Sequence, residues 1–358
     1  MNLLKSSLTI AALASFNLAP SLMGQVTSAT ATTDPVGFVS VSVNANSDQK
    51  IGVPMQQAPV FQGAASGVSG TSISATGLPV VTGANYLLVT SGSASGSWEQ
   101  IATSAAGSLT LQSAITGFAT GDEFMIRPFW TLGSLFPSGS GIPASSDVFS
   151  PSALVLLNNP AATGINIPAA SFYLYHDGTQ GPAGWYNAND ISAGLQDNVV
   201  LSPEVSLTIR NQTSGEAKVT ITGSVPVKSQ SLEIVGSPSE QQDNLVYNQF
   251  PAGVTLGTSG LSESGAIQPS SDVFSPIDIL LLYSSTNTGI NPSATAFYLY
   301  HDGSQGPAGW YNANDIPAGL QDNVPLPEGA AFVIRKAAGS PSASWTPQVP
   351  YAASLTNN

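Results

Sequence analysis

The residues that could do chemistry in this chain occur in two copies of one segment. Each copy holds a histidine followed by aspartate and glycine, with a second aspartate further along. A histidine among carboxylates suggests a cation site, and oxygen ligands suit Ca²⁺ in particular. Calcium loops carry carboxylates at alternating positions, and DxDxDG is not found here, so the sequence favours a structural turn. The candidate ligands are His176, Asp177, Asp190, His301, Asp302 and Asp315.

Aromatic residues flank the same two turns. Sugar rings stack on aromatic faces, so an exposed set of these residues would form a platform for glycans. Large aromatic residues beside tight hairpins more often fill a core, and core packing is the interpretation that we favour. The residues concerned are Tyr173, Tyr175, Trp185, Tyr186, Tyr298, Tyr300, Trp310 and Tyr311.

Motifs of known catalytic chemistry are missing from the sequence. It contains no cysteine, no GxSxG and no HExxH, which removes the common nucleophile and zinc signatures. A hydrolase would need two carboxylates facing each other in one cleft, and Glu99, Asp122 and Glu123 are available for such a pair. We expect a protein that is not an enzyme, with a hydrolase as the less favoured alternative.

The strongest pattern is an internal repeat at a constant shift of 125 residues. SSDVFSP begins at Ser145 and again at Ser270, and TGIN, FYLYHDG, GPAGWYNANDI and AGLQDNV recur at the same shift without a gap. Each copy closes with a short strand that ends at Arg210 or Arg335. In FYLY the side chains alternate across a strand, and the Gly/Pro-rich segment after it predicts a hairpin with a long loop.

A third, diverged copy is predicted upstream of these two. Tyr86 and Trp98 have the spacing of Tyr173 and Trp185, and FMIR ends at Arg127. Strands VGFVSVSV and VTITGSV also recur. The predicted divisions are a signal peptide over 1–24, a diverged β module over 34–128, β modules over 129–211 and 212–336, and a Pro/Ser-rich tail over 337–358, extended or mobile, that Trp345 could pin.

Composition supports an all-β protein. Charged residues are 8% and hydrophobic residues 42%, with 35 glycines and 26 prolines, which is typical of many short strands joined by tight turns. We expect tandem antiparallel β-sandwich or jelly-roll-like modules with internal duplication. The net charge of −13 opposes binding to nucleic acid. Lys5 and the apolar stretch after it predict export, and beyond it the sequence has no run long enough to span a membrane.

Several motifs together resemble one family. VGFVSV, FWTLGSLFP, the paired YLY and W segments and the strands ending in IR are similar to a large paralogous family of exported β-rich proteins in Verrucomicrobia and related bacteria. This resemblance implies export and modular organisation, and it implies no activity. We therefore expect a structural or adhesive component of the cell envelope or extracellular matrix, located in the periplasm, at the cell surface or outside the cell. Its partners would be glycans or other envelope components, and self-association is a further possibility. The alternative is a carbohydrate-binding protein that uses the Tyr/Trp hairpins.

Overall fold

The computed structural model describes residues 35–159 and 162–352. The predicted signal peptide therefore lies outside the described residues, as does the end of the predicted tail. The described residues belong to one compact unit. This described part is nearly all β, with 40% of its residues in strands and 5% in helices, as the sequence predicts.

Short strands separated by turns follow one another along the described chain. The strands are β1 (Val36–Val43), β2 (Ser47–Gly52), β3 (Phe61–Ala64), β4 (Gly67–Ser69), β5 (Ser72–Ser74), β6 (Asn85–Val89), β7 (Trp98–Ala105), β8 (Ser108–Leu111), β9 (Glu123–Pro128), β10 (Trp130–Thr131), β11 (Ala153–Asn158), β12 (Ala169–His176), β13 (Gly184–Asn187), β14 (Val200–Leu201), β15 (Ser206–Asn211), β16 (Ala217–Ser224), β17 (Leu232–Ile234), β18 (Gln242–Tyr247), β19 (Val254–Thr255), β20 (Ile279–Leu282), β21 (Ala296–His301), β22 (Gly309–Asn312), β23 (Pro325–Leu326), β24 (Ala331–Lys336) and β25 (Ala343–Trp345). Helix α1 spans Leu132–Leu135, and 3₁₀ turns span Pro137–Gly139, Ile191–Ala193, Leu256–Thr258 and Ile316–Ala318.

The first copy of the repeat belongs to a two-layer module. Its five-stranded antiparallel sheet has the order β13-β12-β11-β15-β2, and the antiparallel pair β1-β16 covers one face of it. Strand alternation points Val39, Val41 and Val43 of the pair inward, against Ile209 and Trp185 of the sheet. Burying these apolar side chains between the layers is what holds the module together.

The second copy builds the same module again. Its five-stranded sheet has the equivalent order β22-β21-β20-β24-β18, and the pair β17-β25 covers it. Small two-strand sheets also correspond, β10-β14 in the first module and β19-β23 in the second. Fully buried residues of this second core include Phe332, Ile334 and Trp345.

A third sheet is inserted into the first module between β2 and β10. It has seven strands in the order β3-β9-β6-β7-β8-β5-β4 and curls into a half-barrel. Its own core includes Ile73, Leu87 and Phe124. The insertion explains a numerical mismatch in the repeat: Arg210 and Arg335 are 125 residues apart, whereas Asp48 and Asp243, which occupy matching places on β2 and β18, are 195 apart.

The hydrogen-bonded sheets cross the domain boundaries that the repeat predicts. Strands β1 and β2 precede residue 128, yet they pair with β16 and β15, which lie beyond residue 200. The recurrent strands VGFVSVSV and VTITGSV are thus partners in one ladder. The predicted separation at residues 128 and 211 is corrected accordingly: chain order differs from sheet order because the half-barrel interrupts the first module.

The third predicted copy is similar to the others in only one hairpin. Leu88 pairs with Trp98 in β6-β7 as Tyr175 pairs with Trp185 in β12-β13. The strand that ends in IR, however, lies directly beside this hairpin in the half-barrel, whereas β11 separates the two in the first module. Within the predicted tail, β25 pairs with β17, and the buried Trp345 donates from Nε1 to the Ser259 carbonyl at 2.8 Å.

Candidate functional site

The repeated aromatic residues do not form an exposed platform. Trp185 and Trp310 are 0% and 1% exposed, and each packs edge-on against a half-buried tyrosine, Tyr175 or Tyr300, with ring centroids 5.6 Å apart. Tyr173 and Tyr298 are buried in the same cores. On the other face of each sheet, Tyr186 and Tyr311 are buried beside a histidine. A glycan platform on these hairpins is therefore corrected to core packing, because both faces of the sheet are covered.

The histidine–aspartate segments form turns and no cation site. The Nδ1 atom of buried His176 accepts from the Gly178 amide at 3.2 Å, and Asp177 accepts from the Thr179 amide at 2.8 Å. These bonds to the Thr179 amide and hydroxyl lower the pKa of Asp177. Asp190 accepts instead from the Ser192 hydroxyl at 2.6 Å.

The second copy repeats this arrangement. His301 and Asp302 bond the amides of Gly303 and Ser304, and exposed Asp315 precedes a 3₁₀ turn. Within residues 35–159 and 162–352, no three His, Asp or Glu side chains are grouped as a metal site. The candidate calcium ligands, the less favoured interpretation of the sequence, thus lie in two turns, and the aspartates bind local amides and hydroxyls.

The carboxylates suggested for a hydrolase also bond locally. Asp122 accepts from the Ala119 amide at 2.9 Å, and Glu99 accepts from the Gln100 amide at 2.8 Å. Glu123 is exposed at the start of β9. Their hydrogen bonds are those of turn and strand residues.

The two modules hold each other through a pair of reciprocal contacts that we call the first and second clasps. In the first clasp, the Arg210 guanidinium donates to both oxygens of Asp48, each at 2.8 Å. Asn291, from the TGIN loop of the second module, donates its backbone amide to Asp48 at 2.9 Å. The Asp48 amide returns a bond to the Gly289 carbonyl at 3.1 Å. One module thus supplies the ion pair and the other supplies the loop.

The second clasp is the same contact with the modules exchanged. Arg335 donates to the two oxygens of Asp243 at 2.7 and 2.9 Å, and the Asn166 amide donates to Asp243 at 2.7 Å. The Asp243 amide bonds the Gly164 carbonyl at 2.9 Å. Both asparagines have φ of 52°, in the left-handed region that asparagine tolerates better than most residues. Each carboxylate raises the pKa of its arginine partner, chiefly through the side-chain hydrogen bond.

The edge strands β2 and β18 make further contacts between the two modules. The Gly52 amide donates to the Gly329 carbonyl at 3.1 Å, and Ile51 bridges to Ala330. A Cβ at Gly52 would lie 2.2 Å from the Tyr247 side chain, so only glycine fits there. Lys50 lies 4.4 Å from the centre of the Tyr283 ring, a cation–π contact.

Each module also displays one phenylalanine on a tight turn. Phe149 and Phe274 are 82% and 81% exposed. Their backbone amides donate to Asp147 and Asp272 at 2.9 and 2.8 Å, which fixes the turns. A large apolar side chain held in water at the same place in both copies has no role in packing.

The three parts of the protein meet at an open groove of about 410 Å³. Trp98 of the half-barrel donates from Nε1 to the Glu204 carboxylate of the first module at 2.7 Å. Glu233 and Ser344 of the second module form a cross-strand pair in the same groove. By comparison, a narrower cavity of about 20 Å³ near Trp130 has room for a water molecule and no larger ligand.

The clasps and the groove were not predicted from the sequence. Trp98 and Glu204, which meet in the groove, are 106 positions apart in the chain. Asp48 falls outside the constant repeat shift because of the inserted half-barrel. A comparison that allowed a 70-residue gap would have aligned SDQKIG with QDNLVY. The exposed phenylalanines lie in SSDVFSP, the first motif of the repeat, and their retention in both copies was an available signal.

Comparisons with known proteins returned no match to a family model, to a curated protein or to a solved structure. The resemblance to the exported paralogous family stays a prediction. No helix in the described ranges has the length and hydropathy to cross a membrane.

Proposed function

We propose that the protein is an exported, non-catalytic structural or adhesive component of the cell envelope or extracellular matrix. The observation that carries this proposal is the pair of reciprocal clasps. They join two copies of one module through charged side chains that are largely buried, with side-chain exposures of 2% for Asp48 and 9% for Asp243. A cysteine-free chain gains from them a rigid connection that exported proteins often obtain from disulfides.

Because the clasps hold the two modules in fixed positions, every surface feature of the repeat occurs twice on one rigid body. Phe149 and Phe274 are the most exposed apolar members of this set. Two equivalent contacts on one rigid body act together, so each can be weak while the combined attachment is strong. This is the property that a structural or adhesive component needs.

Cell fractionation of the native producer tests the proposal. We expect the protein in the envelope or matrix fraction, and we expect Phe149→Ser with Phe274→Ser to release it, with each single change giving partial release. Val80→Ser is the matched control, because Val80 is 57% exposed on the half-barrel and lies outside the repeat. Recovery of the wild-type protein only as a free periplasmic monomer would contradict the proposal.

A separate experiment tests the proposal that the protein is not an enzyme. Purified protein incubated with neutral polysaccharides should release no reducing ends. Release that is lost in Glu204→Gln would show that the carboxylates of the groove catalyse hydrolysis.

A further inference from the structure

The floor of the groove is one face of the ladder β17-β25. Its inward side chains, Leu232, Ile234 and Trp345, belong to the second core. Because side chains alternate along a strand, the opposite face carries the intervening residues. Most of these are polar: Ser231, Glu233, Ser342, Ser344 and Thr346. A ladder that covers a core thus presents a continuous row of hydroxyl and carboxylate groups to the groove.

The hydroxyl groups of this face are already organised. Ser231 Oγ lies 2.9 Å from Ser344 Oγ and also bonds the Thr346 hydroxyl. Ser342 Oγ accepts from the Gly236 amide at 2.9 Å. Hydroxyl groups both donate and accept, so this face can match a ligand that carries hydroxyl groups of its own.

The walls come from the other two parts of the protein. The half-barrel reaches the ladder through a bond from the Ser231 amide to the Gly96 carbonyl at 2.8 Å. Trp98 lies two residues after Gly96, and the rings of Tyr86 and Phe129 both pack edge-on to its indole, which holds the indole in place. The Trp98–Glu204 bond then ties the half-barrel to the first module. The groove is therefore preformed, with an aromatic wall held in place from behind.

The charges of the groove select among ligands. Burial raises the pKa of Glu204, and the charge of Glu233 raises it further, whereas the bond from Trp98 acts in the opposite direction. Two carboxylates in one groove repel anions such as phosphates, sulfated sugars and uronic acids. They accept hydrogen bonds from neutral hydroxyl groups well.

We propose that this groove binds a neutral sugar of one or two hexose units. Trp98 packs against the C–H face of the ring, Glu204 and Glu233 accept from its hydroxyl groups, and the serine row completes the hydrogen bonds. The volume is within the range of small-ligand sites. This site names the glycan partner of the proposed adhesive role and rests on that role for its biological purpose; binding itself is measured with purified protein alone.

Saturation-transfer NMR and calorimetry with maltose, cellobiose and N,N′-diacetylchitobiose test the proposal. We expect at least one disaccharide to bind, and Glu233→Gln to weaken it by about tenfold, the loss of one charge-assisted hydrogen bond. Trp98→Leu should weaken it further and remove the change in tryptophan fluorescence on binding. Glu240→Gln is the control, since Glu240 is an exposed carboxylate that does not line the groove.

Three outcomes would overturn the proposal. These are no binding of any of the three disaccharides at millimolar concentration, binding that Glu233→Gln and Trp98→Leu leave unchanged, and binding of a lysine tetrapeptide in place of the sugars. Glu233 is exposed, so we expect Glu233→Gln to fold. A loss of binding in this variant is then a property of the groove and not of misfolding. If no sugar binds but the protein is found in the envelope fraction, the sugar site alone is refuted. Binding by a protein found only as free monomer refutes the adhesive role instead.

Discussion

Removing one carboxylate of a clasp should cost a large part of the stability of the contact between the modules. In Asp243→Ala, the Arg335 guanidinium loses both oxygens of the Asp243 carboxylate as acceptors, and the Asn166 amide loses its 2.7 Å hydrogen bond to the same carboxylate. Exposed ion pairs contribute roughly 0.2–1 kcal/mol, whereas breaking a buried pair costs about 3–5 kcal/mol. The side chains of Asp243 and Arg335 are 9% and 18% exposed, closer to the buried limit. Partial solvation of the arginine reduces the cost, so we expect a loss of about 3 kcal/mol in the free energy of unfolding.

A double-mutant cycle isolates the pair itself. Asp243→Ala, Arg335→Ala and the double variant are compared with the wild type by urea unfolding followed by tryptophan fluorescence. We expect a coupling energy of about 2 kcal/mol, because the double variant no longer strands a charge. The equivalent cycle on Asp48 and Arg210 should give the same value, since their distances match. A coupling below about 0.5 kcal/mol in both cycles would refute the reasoning.

Four further perturbations follow from the structure. Gly52→Ala should destabilise the protein by about 1–3 kcal/mol in urea unfolding, because the new methyl group meets Tyr247. Asp278→Ala should cost about 3–5 kcal/mol by stranding a lysine that is 0% exposed, and adding Lys336→Met should restore part of the loss, because the Gln268 and Ala337 amides and the Ser340 hydroxyl also lose their acceptor. Trp310→Ala should cost about 3–5 kcal/mol and lower the melting temperature. Because the pKa of Glu204 is raised in the folded protein, its contribution to stability is fully present below pH 4.5, the ordinary pKa, and is lost as pH rises through the raised pKa. A pH series of urea unfolding should therefore show that Glu204→Gln becomes more stable relative to the wild type over that pH range.

Matched positions supply the controls. Gly253→Ala should be close to neutral, because a Cβ there meets nothing within 4 Å and its φ is not positive. The first module already holds Ala153 and Asn211 at the places equivalent to Asp278 and Lys336, so a neutral pair is compatible with the fold. Equal losses in Asp278→Ala and in the double variant would contradict the account of the buried ion pair. Unchanged stability in Trp310→Ala would contradict its place in the core.

Local patterns allowed much of the fold to be predicted. Strand alternation in FYLY and the turn residues after it predicted the hairpin β12-β13, and the 125-residue repeat predicted that β21-β22 would match it, as it does. The preference for core packing of the aromatics and for turns at the histidines rested on the same local chemistry.

Long-range pairing is where the sequence was insufficient. Nothing near Val36 indicates that its strand pairs with residues 217–224, because the inserted half-barrel hides the equivalence of β1 with β17. The groove had no signal at all, since Trp98, Glu204 and Glu233 come from three parts of the chain and are ordinary residues in their own segments. Such a site exists only after the three parts have assembled.

Formation of a disulfide between the modules tests the central claim most directly. The chain has no cysteine, so Ile51→Cys with Ala330→Cys introduces one defined pair at the antiparallel bridge between β2 and the second module. Partners in such a bridge have Cα atoms about 4.5–5.5 Å apart, within the range for a disulfide. If the modules clasp each other as described, mild oxidation will convert the monomer fully to the crosslinked form, seen as a faster band on non-reducing gels and the loss of two hydrogens by mass spectrometry. Thiols that stay free and fully alkylatable in the folded protein would contradict that arrangement.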